Sequence, residues 1–231
     1  MIGSDISEKI QSSTLTDELV ENSTDYTSGT QLKDKLSLLP LTMRAMLGNS
    51  AFFSKRQNTR KYRKCVMALK EIRQFNCCDY CGVNAENMYI TNIDGNYQNN
   101  HLENFALSCC YCSYVQLLDF YYFSPLPDQY IVYLPDITQT KLNCYYNEWQ
   151  KELKNKENIL EIKEAIAELV DYRQYLDQII GVKTEYRDVL GFFAQTGGCD
   201  DENVRLKLRW VPSFTMLKSI NTLPFLPFSS S

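Results

Sequence analysis

Two Cys-x-x-Cys pairs, Cys78/Cys81 and Cys109/Cys112, constrain this chain more than any other feature. Each pair presents two thiolates at the spacing a tetrahedral soft-metal site requires, and together they offer four sulfur ligands to one Zn²⁺. Gly82 directly after the first pair suits the tight turn that aims backbone amides at the sulfurs. Twenty-seven residues separate Cys81 from Cys109, about enough for a hairpin or small loop. Cys77 and Cys110 blur the register, but only Cys78/Cys81 and Cys109/Cys112 keep the x-x spacing. The extra two are therefore expected to be packed, unligated thiols, with their substitution as ligands left open. A thioredoxin-type redox motif is the rival, and it has no use for a second pair. Four sulfurs leave zinc no free coordination position, so the metal holds the fold and does no chemistry.

Composition narrows the rest. Nine cysteines, behind an N-terminus (MIGSDISEKIQSS) without the charged-then-apolar layout of a signal peptide, point to metal rather than disulfides. His101 is the single histidine of 231 residues, which excludes any mechanism needing two imidazoles. Lys+Arg 24 against Asp+Glu 28 gives −4, arguing against a generally basic nucleic-acid binder. No apolar run approaches the roughly 18 residues of a membrane span.

Three regions are expected. Residues 1–32 form a flexible acidic arm: Asp5, Glu8, Asp17, Glu18, Glu21 and Asp25 face only Lys9, which makes −6+1 = −5. Residues 33–128 form the zinc-binding core, entered by a basic amphipathic helix over 56–75. Tyr62, Val66, Leu69, Ile72 and Phe75 make its apolar face, and Lys55, Arg56, Arg60, Lys61, Arg63, Lys64, Lys70 and Arg73 its outer one. After the second cysteine pair, SYVQLLDFYYF reads as a helix closed by SPLPD. Residues 129–231 start with a strand, QYIVYLPD, and continue mainly helical. Ile159, Ile162, Ile166, Leu169, Arg173, Leu176 and Ile180 form one continuous helix face. A second helical piece is expected in YRDVLGFFAQ, whereas the final LRWVPSFTMLKSINTLPFLPFSSS shows no clear period. The fold class is α+β.

Between the cysteine pairs, MYITNI (88–93) reads as a strand, DGNYQNN (94–100) as a turn, and LENFALSC (102–109) as the return. Asn104 lies where its amide can tie the loop backbone across the turn, or stand exposed as an ordinary turn asparagine. This string, from Cys-x-x-Cys-Gly through I-D-G-N-x-x-N-N-x-x-E-N-F-x-L-x-Cys-x-x-Cys, resembles the zinc-knuckled HNH endonuclease family with its ββα-metal fold. The resemblance implies histidine just before the I-D-G turn, where this chain has Thr91 and Asn92, and a further histidine or asparagine after the last cysteine, where it has Ser113. Neither Thr nor Asn serves as a base near neutral pH. His101 falls in the turn, away from the family's catalytic positions. The scaffold is expected without the nuclease.

A narrower resemblance extends over roughly residues 50–195. The run ITNIDGNYQNNHLENFALSCCYCSYVQLLDF, then IVYLPDITQTKLN and RQYLDQIIG, is similar to the DotN/IcmJ family of the Dot/Icm type IVB secretion machinery. It implies a non-enzymatic, cytoplasmic zinc adaptor at the inner face of the inner membrane, held there through partners. The implied partners are the C-terminal extension of a DotL-like coupling ATPase, with DotM-like and IcmS/IcmW-like components in the same assembly. Sixteen tyrosines and eleven phenylalanines supply material for a peptide groove, although core packing claims most of them. The alternatives are a metal-dependent nuclease with relocated residues and a non-catalytic nucleic-acid-binding zinc module using residues 55–73.

Overall fold

Strands β1 (Met88–Asn92) and β2 (Phe105–Cys109) form an antiparallel hairpin at the centre of the computed structural model, which describes residues 38–72, 77–121, 129–180 and 202–219. Met88 faces Cys109 and Asn92 faces Phe105, and every residue of both strands is buried. The connecting turn is held by side chains. Asp94 accepts from the Asn96 backbone amide (2.8 Å), the Asn99 amide (2.7 Å) and the Asn104 amide (3.0 Å). Asn104 in return accepts from the Asp94 backbone N–H (3.1 Å) and donates to the Asn99 carbonyl (3.0 Å). Gly95 turns the chain at φ 74°, a conformation costly for residues with a Cβ.

The basic helix expected over 56–75 begins at Arg60, as α2 (Arg60–Ile72), and a separate helix, α1 (Asn49–Arg56), ends at the residue where it was expected to start. Thr59 is the reason. Its Oγ1 accepts from the Tyr62 backbone N–H (3.3 Å) and its carbonyl from Arg63 N–H (3.1 Å), so it caps a new helix. Tyr62 and Leu69 are buried as expected, but Ile72 is 66% exposed, and Phe75 lies outside the described residues. Arg56 does not belong to the outer face. It is buried, with its guanidinium 4.7–4.8 Å from the ring centroids of Phe53, Tyr62 and Tyr97, and 5.6 Å from that of Phe105.

Helix α3 (Cys110–Tyr114) follows β2 directly, completing a strand–strand–helix order. Of the helix expected over 113–123, the described residues to 121 form the end of this one turn and a 3₁₀ segment at Leu118–Tyr121. Tertiary pairing ends it, because Arg44 N–H donates to the Val115 carbonyl (2.9 Å) and Leu118 N–H to the Arg44 carbonyl (3.0 Å). Strand β3 (Gln129–Tyr133) pairs antiparallel with β4 (Leu208–Pro212), placing Gln129 opposite Pro212. Strand β4 lies in the segment without a visible period, and all five of its residues are buried, so no polar alternation marks it.

Helix α4 (Gln139–Asn155) lies in the region expected to be mainly helical, though its bounds were not read there, and it is the longest helix among the described residues; Thr138 caps it by accepting from Lys141 N–H (3.2 Å). The single face expected over 159–180 is carried by two helices, α5 (Ile159–Asp171) and α6 (Arg173–Ile180), separated at Tyr172. Ile162, Ile166, Leu169 and Leu176 are buried, whereas Ile159 is 45% exposed. Short helices α7 (Glu202–Arg205) and α8 (Phe214–Ser219) flank β4.

Trp210 on β4, fully buried, joins the two hairpins. Its ring packs on Tyr114 (4.6 Å between centroids), Tyr146 (5.8 Å) and Tyr111 (6.5 Å). Gln129 Oε1 accepts from both Trp210 Nε1 (2.9 Å) and Tyr114 OH (3.0 Å), which satisfies their polar tips inside the core. No helix among the described residues is long and apolar enough to cross a membrane. The acidic arm, SPLPD, YRDVLGFFAQ and LPFLPF all lie outside the described residues.

Candidate metal centre

Cys78, Cys81, Cys109 and Cys112 meet with their four sulfurs within 4.8 Å of one another, all buried. The first pair sits on a true knuckle. Gly82 N–H donates to the Cys78 carbonyl (2.8 Å), Cys78 N–H to the Val83 carbonyl (3.0 Å), and Gly82 takes φ 73°. The second pair is built differently, since Cys109 closes β2 and Cys112 rides on the first turn of α3. The knuckle is clipped to β2 through Asp79: its backbone N–H donates to the Leu107 carbonyl (2.8 Å), and its carboxylate accepts from Leu107 N–H (2.7 Å). Cys110 is buried nearby on α3, but Cys77 is exposed and not packed as expected. Neither joins the cluster.

The donor set fits zinc. Cys81 and Cys109 sulfurs lie 3.7 Å apart, close to the roughly 3.8 Å edge of a tetrahedron with Zn–S bonds of about 2.3 Å and far from a disulfide. Without a cation, four such thiols cannot all ionise. Hydrogen bonds from Cys109, Cys112 and Cys81 hold Cys78 far below the ordinary thiol range. Contact with Cys109 and Cys112 pushes Cys81 up, and burial pushes Cys112 up. A dication reverses this balance by favouring four thiolates.

Helix α4 supplies surroundings that spacing did not reveal. Asn143 Nδ2 lies 3.3 Å from Cys112 Sγ, Asn147 Nδ2 lies 3.7 Å from Cys109 Sγ, and Cys144 Sγ donates to the Cys81 carbonyl (3.5 Å). Asparagines in a helix carry no metal signature by themselves. Asn143 ends the string IVYLPDITQTKLN (131–143), which announces no chemistry.

The three positions compared above with a nuclease centre are all buried. Thr91 and Asn92 are fully buried in β1, with Thr91 Oγ1 3.2 Å from Tyr80 OH. Asn92 donates to the Asn96 carbonyl (2.8 Å) and the Asn99 carbonyl (2.9 Å), and its Oδ1 accepts from Arg56. Arg56 also donates to the Ile90 carbonyl. Ser113 is buried in α3. His101 stands exposed at the turn, 3.5 Å from Lys61 Nζ and 3.9 Å from Glu103, and is not among the four clustered ligand residues.

No protein-family model matches the chain. It is similar to the type 4 apparatus protein DotN of Legionella pneumophila, with 24% identity over 196 residues, covering 84% of this chain and 87% of that protein.

Proposed function

We propose that this chain is a non-catalytic, zinc-holding component of a type IV secretion apparatus that grips the C-terminal extension of the coupling ATPase. The similarity to a type 4 apparatus protein over 84% of this chain and 87% of that protein carries this reading. The site chemistry supports it. Four buried thiols saturate a tetrahedral ion, leaving no position for water or substrate. The neighbouring Thr91–Asn92 pair has no proton acceptor suited to neutral pH, and its amide is fully engaged. The zinc fastens the β1–β2 hairpin to the knuckle and so fixes the surface a partner meets. DotM-like and IcmS/IcmW-like proteins belong to the same assembly, and the chain works in the cytoplasm beneath the inner membrane.

Crosslinking in the native host, followed by purification and metal analysis of one sample, tests the assignment. One zinc per chain and recovery of the coupling ATPase tail are expected. In Cys78→Ser or Cys109→Ser the zinc is lost and the partner with it. Mg²⁺- or Mn²⁺-dependent plasmid cleavage abolished by His101→Ala would instead establish a nuclease. The exposed, basic face of α2 (Arg60, Lys61, Arg63 and Lys64) favours a second reading, a nucleic-acid-binding module. Salt-sensitive retention on DNA, lost when these residues are reversed in charge, distinguishes it.

A further inference from the structure

A ZnS₄ centre buries four thiolates against one dication, a net charge of about −2 with no water to solvate it. The charge needs hydrogen-bond donors, and the side chains that meet it come from one face of α4. Asn143 and Asn147, four residues apart, aim Nδ2 at Cys112 and Cys109.

The direction of the Asn143 amide is settled by a chain of bonds that begins in the other hairpin. The Trp210 backbone N–H can only donate, so Gln139 presents Oε1 to it (2.7 Å). Gln139 Nε2 is thereby left to donate to the Trp210 carbonyl (3.2 Å) and to Asn143 Oδ1 (2.9 Å). Asn143, its oxygen engaged, has only its NH₂ to offer Cys112. Asn147 is held similarly, donating also to the Asn143 backbone carbonyl (2.7 Å). Gln139 and Asn143 both lie within the string IVYLPDITQTKLN (131–143).

We infer that Asn143 and Asn147 are positioning residues for the metal-bound thiolates: each donates to one sulfur, lowers its nucleophilicity, and ties the site to the β3–β4 sheet through Gln139. This rests on the zinc reading above. Partners that orient or polarise metal ligands are worth about 10–100-fold in metal affinity.

The test uses the full chain, with zinc content measured first. Wild type carries one equivalent, and its four ligand cysteines alkylate slowly with iodoacetamide. Asn143→Leu keeps one zinc, loses about 10–100-fold in a chelator competition, and makes Cys112 the fastest-alkylated ligand. Asn147→Leu moves that reactivity to Cys109. In the cobalt(II)-loaded protein, each variant shifts the sulfur-to-metal charge-transfer band, which a purely packing role does not do. Asn143→Asp keeps the shape, puts an acceptor against the thiolate, and gives the same direction of change if Asn143→Leu does not fold. Unchanged affinity and spectrum overturn the inference, as does equal activation of all four cysteines, which marks general loosening. A wild-type chain without zinc overturns the zinc reading itself, and the inference with it.

Discussion

Arg56 shows how far a residue's role can lie from its composition class. In sequence it belongs to a basic run, yet it is buried among four aromatic rings contributed by α1, α2, the turn and β2. Burial opposes its charge, and no carboxylate pairs with it among the described residues; ring faces and the Ile90 and Asn92 oxygens balance it instead. Arg56→Met keeps the approximate volume but strands two buried acceptors and removes the cation, so it is expected to cost about 3 kcal/mol in urea denaturation. Arg56→Lys does not rescue it, because one ammonium cannot reach both oxygens in the planar fork geometry. The mistaken placement has a physical reason: the sequence displays the charge, whereas the rings that receive it arrive from up to 49 residues further along.

Among the elements, those written in local chemistry were legible and those made by distant pairing were not. The cysteine pairs and the Asp94–Gly95 turn are covalently local, and the β1–β2 hairpin follows from them. Strand β4 exists because β3 accepts it 79 residues away, and the helix after Cys112 stops because Arg44 takes its backbone partners. The donors at Cys109 and Cys112 come from α4, 38 and 31 residues away in sequence, beyond the reach of any spacing rule. Within the hairpin, Asn104 is the keystone of the turn, and Asn104→Ala removes three bonds at once. It should lower stability by about 1–2 kcal/mol at neutral pH, read by urea denaturation. Asp94 shifts too. Although burial raises its carboxyl, donors from Asn104, Asn99 and the Asn96 backbone hold it below the usual range. Removing Asn104 moves its titration upward, as carboxyl ¹³C NMR would record.

At the scale of the molecule, a metal held by the four thiols and the packing around Trp210 are expected to contribute separately to stability, and pH tells the two apart. Trp210→Ala leaves a cavity among Tyr111, Tyr114 and Tyr146 and is expected to cost about 3–5 kcal/mol, whether or not zinc is bound. A contribution from zinc held by the four thiols would instead depend on protons. Metal binding depresses the ligand thiols far below their unfolded values, so the associated stability is fully present above the unfolded thiol range. It is lost as pH falls and protons displace the ion. In the metal-free cluster, contact with Cys109 and Cys112 pushes Cys81 up and burial pushes Cys112 up, so both favour the thiol form. The melting temperature of the zinc-loaded chain should therefore exceed that of the chelated chain widely at pH 8, with the two curves converging on acidification. A gap that stayed constant with pH would mean that thiolates are not the ligands. In Trp210→Ala both curves should drop together while keeping their separation, because the ring packs the core without touching the sulfurs.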